Sequence, residues 1–227
     1  MRFAIFAPLF PLLLAAASPE VEAARDRQDR AALEGLIARL SAAAEKTPDA
    51  AKAHYDLAIA SAYLAEVSLE VRDRGGAKRA AERGIQAAER ALALQPEVAE
   101  HHRVLATLCG QAIPANVLAG IGYGKRAQEA IGKAIERDPK SSLAYLTRGV
   151  GNYYLPPAFG GGVDRALQDF DKASSLNPKS AEAHLWRGLA LRKANKNAEA
   201  REAFTRSLQL NPNRVWTKQQ LEKTPAQ

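Results

Sequence analysis

The 227-residue chain has a single cysteine, Cys109. An intramolecular disulfide is therefore excluded, and the fold must be held by packing alone. Beyond the first residues no segment is apolar enough to cross a bilayer. No Ser-His-Asp signature, acidic metal cluster or cofactor fingerprint is present, so no cofactor and no metal is expected and the chain reads as a non-enzyme. Gly120-Ile121-Gly122-Tyr123-Gly124-Lys125 has the glycines of a phosphate cradle but neither the required spacing nor a following Ser or Thr, and Arg126 comes next. Nor is there a block of like charge. The 32 Lys and Arg against 25 Asp and Glu are scattered. That balance suits anionic membranes or polyanions, but the scatter reads as cations on solvated outer helix faces, with no specific nucleic-acid partner.

What is present begins with Arg2 followed by an apolar run, Phe3 to Leu14, and then small residues. This is the layout of a secretory signal, residues 1–23, with cleavage after Ala17 or after Ala23. It predicts a periplasmic or secreted protein with no membrane span once the signal is removed. No cysteine follows the run to carry a lipid anchor.

Five prolines then divide the chain: Pro48, Pro96, Pro139, Pro178 and Pro212, spaced 48, 43, 39 and 34 residues apart. Each of the last four follows a similar segment, such as Ala91-Leu92-Ala93-Leu94-Gln95 and Ser207-Leu208-Gln209-Leu210-Asn211. Proline disfavours helix in the residue before it, so each segment reads as a helix end. A recurring stop after a recurring helix is the mark of a repeat array. The last module, 181–214, reads as helices Glu182–Ala194 and Ala198–Leu210 around the turn Asn195-Lys196-Asn197.

In that module Gly188, Ala200, Phe204, Ser207 and Pro212 occupy the small, aromatic and proline slots of a pattern that resembles the tetratricopeptide repeat. His184 stands where that family prefers an aromatic. The same register places His54, His102 and Tyr145 in the bulky slot of earlier modules and Ala58, Ala106 and Gly149 in the small slot. The resemblance implies an all-α, right-handed solenoid of four helix pairs, 51–98, 99–141, 142–180 and 181–214. A flanking N-terminal helix covers 24–48, with Arg25–Lys46 as its helical part, and a C-terminal capping helix and tail cover 215–227. The histidines are expected to be structural, because equivalent slots in successive modules lie too far apart to share one metal ion. Cys109 falls in a packing slot and reads as an inert thiol.

The excess over 34 residues lies between the paired helices. In module one it lengthens both helices around Gly75-Gly76. In module two it forms a loop, Ile113–Gly124, and in module three the segment Leu155–Gly162. Carrying over the groove positions of the tetratricopeptide family gives an apolar, aromatic concave face containing Tyr55, Ile59, Tyr63, Arg103, Leu146, Val150, Tyr154, Leu185 and Leu189. Such a face is expected to be covered by a protein or peptide partner, or else by the N-terminal helix folding into it. The resemblance thus implies a protein–protein interaction scaffold. The sixth positions, Asp56, Val104, Thr147 and Trp186, lack the asparagine of family members that grip a C-terminal carboxylate. Tyr153-Tyr154-Leu155-Pro156-Pro157-Ala158-Phe159-Gly160-Gly161, with Phe170 and Ala173 on the next helix, resembles periplasmic repeat proteins associated with tripartite substrate transporters and the regulator-of-microtubule-dynamics group. That second resemblance implies the alternative function, a small-molecule or lipid-binding module associated with a transporter.

Overall fold

Why the chain forms paired helices is visible at their ends. Asp29, Asp73, Ser141 and Ser180 each stand just before a helix, and their side chains accept from the backbone N–H three residues on, at 2.7–3.2 Å. These caps satisfy donors that the helix itself leaves open. Prolines stop the helices that precede them. The computed structural model describes residues 17–115 and 117–226; the apolar run Phe3–Leu14 lies outside them.

Eleven α-helices follow one another with no strand among the described residues: α1 Pro19–Asp26, α2 Arg30–Lys46, α3 Ala51–Glu70, α4 Arg74–Leu94, α5 Ala99–Ala112, α6 Val117–Arg137, α7 Ser142–Tyr154, α8 Val163–Leu176, α9 Ala181–Lys193, α10 Asn197–Leu210 and α11 Val215–Glu222. Each packs chiefly on its chain neighbours, and α3, α5, α7 and α9 also line up against one another as the inner row. This is a tetratricopeptide-type solenoid in the register that the prolines set.

Three expectations about the junctions are corrected. The segment read as one helix from Arg25 is two helices, because the chain turns at Gln28, whose φ is +55°, and Asp29 caps a new start. In module one the turn falls at Val71–Asp73 rather than at Gly75-Gly76. Asp73 caps α4 through Gly76 N, which draws both glycines into the first helical turn. In module two the expected loop shrinks to a 3-10 turn, Ile113–Ala115, and the glycine-rich stretch is helix α6. Glycine costs a helix only about 1 kcal/mol, and no proline follows Pro114 to break it. The stretch that carries Lys125 is therefore no phosphate loop.

The third insert is irregular as read. Leu155–Gly162 folds tightly around a 3-10 turn at Pro157–Phe159, with Gly160 and Gly162 at φ +84° and +110°, values that only glycine adopts freely. Gly162 N–H donates back to Asn152 O at 2.9 Å, which anchors the loop to the end of α7.

Candidate functional site

The inner row of first helices brings the nine groove residues to one side of the solenoid, but it leaves few of them open. Tyr55 and Ile59 on α3 are buried. The Tyr55 hydroxyl donates to Glu100 Oε1 at 3.1 Å, and Arg103 forks onto the same carboxylate and reaches Thr107 Oγ1 at 3.3 Å. Thr107 in turn meets Thr147 at 3.3 Å, so a polar ladder joins α3, α5 and α7. Leu146 is buried beside Phe170, with Val150 half-buried against the same cluster. Leu185 and Leu189 are buried in the cluster that Trp216 and Leu221 of α11 cover. Tyr63 lies under the Arg25 guanidinium, 4.7 Å from its ring centre. Tyr154 alone presents an open ring, 68% exposed.

A charged network joins the two ends of the chain across the inner row. Arg214, fully buried between α10 and α11, donates to Glu66 Oε1 at 2.6 Å and to Glu182 Oε1 at 3.0 Å, and it forks onto Glu70. Arg25, at the end of α1, bridges Asp26 at 2.7 Å and Glu182 at 3.4 Å. Asn211 donates to Asp26, Gln28 to Glu70 and Gln219 to Gln28. The end of α1 therefore sits between the first and last members of the inner row, and the lengthened α3 carries Glu66 and Glu70 within reach of a residue 148 and 144 positions away.

Four carboxylates surround two guanidiniums here, leaving a surplus of negative charge in a dry site. Burial works against the Arg214 charge, yet Glu182, Glu66 and Glu70 outweigh it and raise its pKa. Burial likewise pushes Glu182 up, but Arg214 and Arg25 dominate and hold it below the usual carboxylate range. Glu66 goes the other way. Burial lifts it to about 7, with Glu182 and Glu70 adding to the lift and Arg214 and Arg25 pulling back. A carboxyl whose folded pKa lies above its unfolded value holds a proton that unfolding releases, so its contribution to stability is lost as pH rises from about 4.5 to 7. Glu66→Gln keeps the neutral form at every pH. Chemical denaturation should find this variant equal to wild type at pH 5 and more stable by on the order of 1–2 kcal/mol at pH 8. Equal stabilities at both pH values would show that Glu66 stays ionised throughout.

An aromatic ladder runs from this network to the third insert. Arg214 lies over the Trp216 ring, and Trp216, Trp186, Tyr153 and Tyr154 follow with ring centres 5.0–5.8 Å apart. Lys193 stands over Tyr153 at 4.3 Å and donates to its carbonyl. Tyr154 ends the ladder, and the surrounding protein pushes its phenol up to about 12, helped by Tyr153, Glu66 and Glu70. The ring packs edge-on against Tyr153 and Trp186 and leaves its outer side open. Phe159, in the adjacent insert, is 74% exposed.

The histidines do a different job. A ring nitrogen of His54 meets Pro48 O at 3.0 Å, and one of His102 meets Pro96 O at 2.8 Å; His184 stands beside Pro178 in the same slot. His54 and His102 thereby tie the start of a first helix to the junction before it. Burial raises the Cys109 thiol to about 11, leaving it un-ionised at neutral pH. No group of three His, Cys, Asp or Glu able to hold a metal occurs among the described residues, and none of their helices is long and apolar enough to cross a membrane.

Arg214, Glu66 and Glu70 were not singled out from the sequence. One signal was there: Glu66 and Glu70 are like charges one turn apart on an otherwise apolar helical stretch, which calls for a counter-charge from elsewhere.

Residues 20–155 match the sequence profile of the family described as regulator of microtubule dynamics protein 1-3, and residues 159–215 match a tetratricopeptide repeat profile. No curated protein matches the chain. Among solved structures, the tetratricopeptide protein TTC0263 of Thermus thermophilus is 18% identical over 85% of this chain and 92% of its own, with a TM-score of 0.62. PilF of Pseudomonas aeruginosa is 22% identical over 72% and 65%, with a TM-score of 0.47. MamA of Desulfovibrio magneticus RS-1 is 17% identical over 88% and 99%, with a TM-score of 0.45. The likeness to TTC0263 is one of fold.

Proposed function

The chain belongs to the regulator of microtubule dynamics protein 1-3 family, and from that premise we propose that it is a non-catalytic scaffold that binds an extended peptide or a helix of a protein partner at the exposed end of the aromatic ladder. The observation that carries this reading is the exposure of Tyr154 beside the exposed Phe159. Both project from a rigid helix end and a tightly folded loop, so they are pre-organised anchors of the kind that supply most of an interface's affinity. Tyr153 and Trp186 pack edge-on against the Tyr154 ring and hold it in place.

Partner capture by crosslinking the mature protein, followed by affinity measurement, tests this. Tyr154→Ala and Phe159→Ala are each expected to weaken the captured partner about 10- to 30-fold with the melting temperature unchanged. Leu185→Ala, by contrast, removes a fully buried side chain and is a probe of folding, not of binding. Recovery of a bound lipid or metabolite in native mass spectrometry, in place of a peptide partner, would overturn the reading.

The protein is further proposed to be exported, with cleavage after Ala17. Ala23 lies within α1, and cutting there would remove Val21, which is buried, and most of the helix that presents Arg25 and Asp26. Cutting after Ala17 leaves α1 whole. N-terminal sequencing of the mature protein is expected to read Ser18-Pro19-Glu20; a start at Ala24 or at Met1 sinks this assignment.

A further inference from the structure

Four of the cations stand together at one hairpin tip. Val71–Asp73 is the turn between α3 and α4, and the 14-residue excess of module one carries this turn past the point where a 34-residue repeat would reverse. Arg72, Arg74 and Arg79 lie in that excess, and Arg83 stands one turn beyond Arg79 on the same face of α4. All four are exposed, and none forms a salt bridge among the described residues, although Arg79 lies near enough to Asp73 to help hold its carboxyl below the usual range. The carboxylates at hand are engaged elsewhere: Asp73 takes Arg30 and caps α4, while Glu82 takes Lys78 and Tyr123. Val71, at the apex, is 46% exposed. Arg72 sits at φ +66°, a conformation that costs a non-glycine residue and that Gly or Asn would take more easily. The same left-handed turn residue stands at Gln28 and Asn195, so the fold sets the backbone here and leaves the arginine side chain free to point outward.

We propose that this hairpin tip docks on an anionic lipid surface. Unpaired arginines meet the phosphates of the headgroups, and Val71 reaches the apolar boundary beneath them. A convex tip with an apolar apex fits a lipid plane. It does not fit single-stranded nucleic acid, because residues 65–83 contain no aromatic to stack on a base.

The test uses the chain Ser18–Gln227, which contains every helix of the fold, and sedimentation with vesicles of phosphatidylcholine with or without phosphatidylglycerol. Binding is expected only to the phosphatidylglycerol vesicles and is expected to fall away in 0.5 M salt. Each neutralised arginine should lower partitioning about fivefold, so Arg72→Asn, Arg74→Gln, Arg79→Gln and Arg83→Gln together should abolish it. The thermal melt should be unchanged, since Asn suits the backbone at position 72. Lys46→Gln, Lys140→Gln, Lys179→Gln and Lys223→Gln together remove the same charge from exposed sites away from the tip and should leave binding intact. Equal loss in this control would mean that net charge, not the tip, attracts the protein. Undiminished binding by the tip variant, or binding by the wild type only to a heparin column and to no vesicle, would overturn the proposal.

Discussion

Arg214→Met is expected to lower the melting temperature by on the order of 10 °C, corresponding to a loss of about 3–5 kcal/mol. The size follows from what the substitution leaves behind. Among the described residues Arg214 is the one cation that bridges Glu66, Glu70 and Glu182 together, and its side chain is fully buried. Removing it strands carboxylates in a dry site, which costs far more than the salt bridges contribute on balance. Two companions separate this cause from lost packing. Arg214→Lys keeps the charge but loses the fork onto Glu70, so it should cost less. Arg214→Met combined with Glu66→Gln and Glu70→Gln removes the stranded charge and should recover most of the stability. If the single variant melts like wild type, the ends of the array are not held by this network.

The second large effect lies in the last module. Phe204→Ala is expected to cost about 3–5 kcal/mol, because it empties the centre of a fully buried aromatic slot. Gly188 is the other half of that contact. A Cβ there would lie 2.6 Å from Phe204 Cε1 and under 3.0 Å from two more ring atoms. A rigid ring moves only by moving α10, so Gly188→Ala should destabilise by about 1–3 kcal/mol despite its better helix propensity. Gly188→Ala with Phe204→Leu, in which the smaller side chain makes room, should cost less than the sum of the two single changes. Strict additivity in denaturant melts would show that the two positions do not share the space.

The repeat was legible because its determinants are local. A proline ends a helix wherever it stands, and a glycine or alanine four residues after the bulky slot must face the partner helix, as Gly149 faces Phe170 and Gly188 faces Phe204. The lengthening of α3 and α4 followed from the same register. The turns were less legible. Asp73 and Asp29 override the nearby glycines and the continuing apolar pattern because a cap satisfies open backbone donors at once, whereas a glycine only permits a turn. The groove was read too openly. Family positions identify which side of a first helix faces inward but not what lies against that side: neighbouring helices bury Tyr55 and Leu146, α1 covers Tyr63, and α11 covers Leu185 and Leu189.

The sequence by itself thus determined the solenoid, its four modules and the place of each insertion, since period, small slots and proline stops act over one or two helical turns. Only the tertiary structure decided what the first insertion does and which groove residues stay open. That depends on Arg214 meeting Glu66 and Glu70, and on Arg25 meeting Glu182. Such contacts are set by the curvature accumulated over four repeats, and no spacing between residues so far apart in the chain encodes it.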